Sequence, residues 1–148
     1  MAIQFGSLPS GTSPMSALPA ALPGKRILIC EDEGITQMQL RRCLTRAGMT
    51  VVGTAVNGRE GVEIALREHP DLVLMDIRMP VMNGLEAVEL IAADYLPCIV
   101  MLSAFNDAET QEQAKSLGAS GYIVKPVTGE TLVPRLEEIW ADFQKKAM

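Results

Sequence analysis

Four apolar segments of this chain each end on a polar group able to do chemistry. Lys25-Arg26-Ile27-Leu28-Ile29-Cys30 runs into the acidic pair Glu31-Asp32, and Leu72-Val73-Leu74-Met75 runs into Asp76. Cys98-Ile99-Val100-Met101-Leu102 ends on Ser103, and Gly121-Tyr122-Ile123-Val124 ends on Lys125-Pro126. Packing alone does not ask for a carboxylate at the end of a buried run, because an unpaired buried charge costs several kcal/mol. Asp76 must therefore sit at a strand mouth with a partner, most simply a cation. Three carboxylates brought together repel, and a proton or a cation must relieve them. Oxygen donors suit a hard ion, and Mg2+ takes one or two carboxylates while sharing phosphate oxygens. An ammonium and a hydroxyl opposite such an ion make a cradle for a phosphoryl group, whose transfer is mostly positioning and charge neutralisation. Asp76 is the best nucleophile of the set, forming an acyl phosphate.

The elements that must deliver these groups can be read from the pattern. From Lys25 onward strand-like runs alternate with helical ones, which signals a parallel sheet with helices on both faces. Helix one carries Leu40, Cys43, Leu44 and Ala47 at helical spacing and ends at Gly48. Strand two covers 50–56 and closes on an Asn57-Gly58 turn. Helix two carries Val62, Ala65 and Leu66, and strand three covers 72–75. Helix three starts near Gly84, buries Ala87, Val88 and Ile91, and stops before Pro97. Helix four, 107–117, has only Ala108, Ala114 and Leu117 as apolar positions, so its buried stripe is thin. Helix five has Thr128 as its N-cap and Leu132, Leu136, Ile139 and Phe143 as its stripe, with an early bend expected at Pro134. Trp140 flanks that stripe and either covers the core or marks a partner surface.

Bulk properties narrow the function classes. The 148 residues make one domain with a proper core. No apolar run approaches the ~20 residues that cross a bilayer. A net charge of −5 argues against a general nucleic-acid or anionic-membrane binder. Cys30, Cys43 and Cys98 have no metal or redox spacing and read as small buried hydrophobes in a reducing compartment. His69, before Pro70, reads as a surface or helix-capping residue. Residues 1–24 carry no charge and are dense in Pro, Ser, Gly and Ala. They read as a disordered tail rather than a signal peptide, with residues 25–148 as the domain. Met15 is an alternative natural start, which would make residues 1–14 an appended segment.

The set Glu31-Asp32-Glu33, Asp76 and the stretch to Gly84, Ser103-Ala104, and Gly118-Ala119-Ser120-Gly121-Tyr122-Ile123-Val124-Lys125-Pro126 resembles the receiver domain of two-component response regulators. The likeness runs from about Lys25 to the C-terminus. It implies a flavodoxin-like, doubly wound (βα)5 α/β fold with strand order 2-1-3-4-5, in which sites lie beyond the strand carboxyl ends at the switch point. It implies Asp76 as phosphoacceptor, with Mg2+ held by Asp32, Asp76 and the Arg78 carbonyl and by Glu31 through water. Ser103 and Lys125 would hold phosphoryl oxygens, Tyr122 with Ser103 would switch, and Arg78 and Phe105 would set the dephosphorylation rate. Three departures stand out: Glu31-Asp32 where two aspartates are frequent, Ser103 where threonine is commoner, and Val127 where phenylalanine is usual.

The resemblance further implies a cytoplasmic module that takes phosphate from a histidine kinase or histidine phosphotransfer protein. It would then bind a protein target, or a second copy, through helix four, strand five and helix five, without a nucleic acid or membrane partner. Such a module is no enzyme beyond its own phosphorylation and dephosphorylation. No output module follows in this chain, so a stand-alone receiver is expected. Leu102-Ser103-Ala104-Phe105 and Leu132-Val133-Pro134-Arg135-Leu136 also resemble receivers fused to RNA-binding antitermination modules, which keeps a fragment of a longer regulator open. An unphosphorylated pseudo-receiver scaffold is the other alternative, opposed by Asp32, Asp76 and Lys125.

Overall fold

Continuous apolar runs become strands covered on both faces. In a computed structural model describing residues 22–104 and 106–147, these are β1 (Arg26–Cys30), β2 (Thr50–Ala55), β3 (Leu72–Asp76), β4 (Cys98–Ser103) and β5 (Gly121–Val124). Between and after them lie α1 (Gly34–Arg46), α2 (Gly58–Glu68), α3 (Gly84–Ala92), α4 (Ala108–Leu117) and α5 (Gly129–Ala147). All strand pairs are parallel, in the order β2-β1-β3-β4-β5. This is the flavodoxin-like arrangement that the motifs imply.

Alternation along each strand divides the core in two, because successive side chains point to opposite faces. Ile27, Ile29, Leu72, Leu74, Val100 and Leu102 pack with Leu40 and Leu44 of α1 and with Leu132, Leu136 and Ile139 of α5. Leu28, Cys30, Val73, Met75, Ile99 and Met101 pack with Ala65, Val88, Ile91 and Ala114 of α2, α3 and α4. Each large side chain so buried contributes about 1.5–3 kcal/mol on leaving water. Two such layers can carry a costly charged site at one end.

Several local expectations are corrected. Asn57-Gly58 is not a free turn: Asn57 caps α2, its side chain accepting from the Glu60 N–H at 2.8 Å. Leu66 faces out, and the buried positions of α2 are Gly58, Gly61 and Ala65. Trp140 belongs to the core, whereas Phe143 only packs against its edge. Pro134, where a bend is expected, lies within the first two turns of α5. Thr128 does precede α5, its N–H donating to Thr131 Oγ1 at 3.1 Å. The tail expected over residues 1–24 lies outside the described residues except for its last three. Of these, Leu22 is buried in the first core layer, and Gly24 N–H donates to the Gly48 carbonyl at 2.8 Å. The folded body therefore reaches back at least to Leu22.

Two glycines fix the segment after β3. The Gly84 N–H donates to the Ile77 carbonyl at 2.8 Å, and the Gly58 N–H to the Met82 carbonyl at 2.9 Å. A Cβ on Gly84 would stand 2.2 Å from the Asp76 carbonyl oxygen, and one on Gly58 would stand 2.3 Å from that of Met82. Both obstacles are backbone, so neither side can yield cheaply. Gly84→Ala is expected to destabilise the fold by about 2–3 kcal/mol, read as a lower urea midpoint. Gly34→Ala, where nothing lies within 4 Å of the added methyl, should leave the midpoint nearly unchanged. Equal effects of the two substitutions would contradict this assignment.

Candidate functional site

Strand register places the chemistry. Cys30 pairs with Met75, so Glu31 and Asp76 emerge side by side from β1 and β3. Asp76 pairs with Leu102, and Ser103 with Val124, so Ser103 and Lys125 follow on the neighbouring strands. Three bonds carry the ladder past the strand ends: Glu31 N–H to the Ala55 carbonyl at 2.9 Å, Ile77 N–H to Leu102 at 3.1 Å, and Lys125 N–H to Ser103 at 2.7 Å. The four strand-end groups read from the sequence thus converge on one edge of the sheet.

The centre is an ion triad. Lys125 Nζ donates to Glu31 Oε1 at 2.8 Å and to Asp76 Oδ2 at 3.0 Å. Glu31 is 1 % exposed, Asp76 5 % and Ser103 3 %, whereas Asp32 is exposed. The remaining carboxylate oxygens accept from backbone: Glu31 Oε2 from the Glu33 N–H at 3.1 Å, and Asp76 Oδ1 from the Arg78 N–H at 3.3 Å. Burial pushes the Glu31 carboxyl above the ordinary range, against the lowering pull of its hydrogen bond from Lys125. Burial works to lower the Lys125 ammonium, but its hydrogen bonds to Glu31 and Asp76 outweigh this and raise it.

One oxygen each from Glu31, Asp32 and Asp76 lies within 4.8 Å of the others. Three carboxylates against one ammonium leave two negative charges at this mouth. That donor set fits a hard divalent cation with oxygen ligands.

The other site residues are placed unevenly. The Arg78 side chain is exposed. Tyr122 is half-buried and packs against the second core layer. It also lines a groove with Gln111, Lys115, Arg135 and Asp142, between α4 and α5. Phe105 lies outside the described residues. Sequence reasoning missed Val81, whose φ of 68° puts a β-branched residue in the left-handed region. The Met82 N–H closes a tight turn around it onto the Pro80 carbonyl at 2.7 Å. The direct Glu31–Lys125 pair was also missed. The extra methylene of glutamate over aspartate was the available signal.

Residues 27–137 match the family described as the response regulator receiver domain. The chain belongs to that family. It is 40 % identical over 134 residues to the transcriptional regulatory protein PdtaR of Mycobacterium tuberculosis, covering 90 % of this chain and 65 % of PdtaR. It is 39 % identical over 117 residues to the chemotaxis protein CheY of Thermotoga maritima, covering 78 % of this chain and 98 % of CheY. A chain of the CheX–CheY–BeF3–Mg2+ complex of Borrelia burgdorferi superposes with a TM-score of 0.76 at 27 % identity, over 80 % of this chain and 90 % of that one. Receivers are modules of two-component signalling, generally without enzyme activity of their own. They work with histidine kinases or phosphotransfer proteins and with downstream targets. Among the described residues, no helix of this receiver is long and apolar enough to cross a membrane.

Removing the ammonium should expose the cost of the site. Lys125→Met leaves Glu31 and Asp76 facing each other without their cation. It is expected to lower the stability of the metal-free protein by about 1–3 kcal/mol, with millimolar Mg2+ restoring part of the loss. An unchanged urea midpoint in metal-free buffer would contradict the triad's role.

Proposed function

We propose that this receiver accepts a phosphoryl group on Asp76 from the phosphohistidine of a kinase or phosphotransfer protein and thereby switches a protein-binding face. The observation that carries the reading is a buried carboxylate at the end of β3, held by Lys125 and flanked by two further acids. In transfer, an Asp76 carboxylate oxygen forms the new bond to phosphorus as the donor's nitrogen–phosphorus bond breaks. The Arg78 N–H holds Oδ1, which orients the nucleophile. Lys125 moves its hydrogen bonds to an incoming phosphoryl oxygen, and Ser103 lines the same mouth. Asp32, Asp76 and the Arg78 carbonyl would hold Mg2+, with Glu31 acting through water. When bound, the ion neutralises phosphoryl charge.

Phosphorylation replaces the single negative charge of the Asp76 carboxylate with a phosphoryl group of about −1.5 to −2, a net gain of about 0.5 to 1 negative charge. Drawing Lys125 and Ser103 toward it pulls on β4 and β5, and Tyr122, in β5, packs against the second core layer next to α4. α4, whose only buried residue is Ala114, is the least anchored element and shifts most easily. The α4–β5–α5 face is then the output surface for a protein target or a second copy of the chain. On the input side, Ile35, four residues after Glu31, and Val81, five after Asp76, are 71 % and 75 % exposed. They offer apolar contacts to a cytoplasmic kinase or relay protein.

The likeness to PdtaR over 90 % of this chain but 65 % of that relative favours a second reading. In it the sequence is the receiver part of a longer transcriptional regulator, of the RNA-binding antitermination type that Leu102-Ser103-Ala104-Phe105 and Leu132-Val133-Pro134-Arg135-Leu136 resemble. The site chemistry is the same in both.

Incubation with acetyl phosphate and Mg2+, followed by mass spectrometry, tests the acceptor: one phosphoryl group on the wild type and none on Asp76→Asn. Undiminished labelling of the variant would refute it, and an unlabelled wild type would favour the pseudo-receiver scaffold. The lifetime of the phosphoryl group is a separate expectation. Arg78 offers no acid or amide to orient the attacking water, and neither does Phe105. Each ~1.4 kcal/mol on the barrier is tenfold in rate. The double variant Arg78→Asn, Phe105→Glu should therefore lose phosphate faster than the wild type. Equal rates would show that these side chains do not gate the water.

A further inference from the structure

The longer first acid of this site does something an aspartate could not do from the same backbone position. Glu31 spans to Lys125 Nζ at 2.8 Å, a shorter contact than the 3.0 Å from Lys125 to Asp76. Its other oxygen is fixed by the Glu33 N–H at 3.1 Å. Its backbone is pinned as well: its N–H donates to the Ala55 carbonyl at 2.9 Å, and its carbonyl accepts from Gln37 Nε2 at 3.0 Å. At 1 % exposure the side chain has little room to leave. Lys125 is different, with a side chain 23 % exposed and four rotatable carbons. The rigid partner is the acid and the movable partner is the ammonium.

We propose that Glu31 is the resting-state holder of Lys125, a positioning residue that competes with the phosphoryl oxygens for the ammonium and so sets how far the switch favours its resting state. This deepens the phosphoacceptor reading and rests on it. When a phosphoryl group or its mimic is seated on Asp76, Lys125 must give up the Glu31 contact to reach it. The free energy of that lost ion pair is subtracted from the free energy of activation. Shortening the acid by one methylene withdraws its oxygens from Lys125. The carboxylate charge beside Asp32 and Asp76 is kept. The resting state then loses its tether while the cation site keeps its three acids.

The test compares wild type, Glu31→Asp and Glu31→Gln by two independent measurements. In the metal-free protein, NMR of the Lys125 ammonium reads coupling across its hydrogen bond to the residue-31 carboxyl carbon. It should be present in the wild type and absent in Glu31→Asp. At saturating Mg2+, with Mg2+ affinity measured separately for each protein, beryllofluoride should bind Glu31→Asp roughly fivefold more tightly than wild type. Glu31→Gln, which keeps the reach and loses the charge, should fall between them. Absence of the NMR coupling in the wild type would overturn the proposal, as would unchanged or weaker beryllofluoride binding by Glu31→Asp. A wild type that binds no beryllofluoride yet shows the coupling would refute the phosphoacceptor reading and the switching role built on it, while leaving the tether itself established.

Discussion

Everything at the carboxyl edge of this sheet depends on one constraint: parallel strands in register bring like charges together. β1 and β3 are neighbours, and Cys30 opposite Met75 forces Glu31 beside Asp76 in a place almost without water. Two buried carboxylates at that separation would not both ionise unaided. β5, two strands away from β3, supplies the compensation through Lys125, whose ammonium bridges both acids. The order β2-β1-β3-β4-β5 is thus a charge arrangement as much as a topology. The acids flank the switch point, Glu31 and Asp32 following β1 and Asp76 ending β3, and the hydroxyl and ammonium come from β4 and β5 beyond β3.

The surroundings divide into parts that cannot move and parts that can. The segment from Asp76 to Gly84 is held by backbone bonds to β4 and α2 and by glycines with no space for a methyl. α3 begins with a reciprocal cap, Asn83 accepting from the Glu86 N–H and Glu86 from the Asn83 N–H. α4 has a good cap in Asp107, whose carboxyl is held below its usual range by hydrogen bonds from Thr110, but almost no buried face. A rigid acceptor beside a loosely packed reporter suits a switch, since local shifts at the acceptor can be absorbed only where packing is thin.

Much of this was legible in the sequence because it rests on uninterrupted patterns. The α/β class followed from apolar runs alternating with helical ones and the strand order from the resemblance to receivers, and Asp76, Ser103 and Lys125 stood out as the polar residues ending buried strands. What escaped depended on local geometry that composition does not encode. Asn57-Gly58 signals a hairpin-like turn and a helix cap equally well, and the capping hydrogen bond to Glu60 decides for the cap. Leu22 is one buried side chain in a stretch whose Pro, Gly and Ala content reads as tail. Leu66 fitted a helical stripe, but the buried face of α2 runs through Gly58, Gly61 and Ala65, and the leucine lies at its margin, 38 % exposed. Trp140 could be settled only by seeing which face of α5 meets the sheet. The Glu31–Lys125 contact joins residues 94 positions apart and depends on one methylene.

The most direct measurement of the central charge arrangement is calorimetric titration of the metal-free protein with Mg2+, wild type against Asp32→Asn. Three carboxylates facing one ammonium should bind a single ion per chain in the wild type. Loss of the one exposed acid of the three should weaken that binding by at least about tenfold. No measurable binding by the wild type, or equal affinity in the two proteins, would contradict a cation site built from Glu31, Asp32 and Asp76.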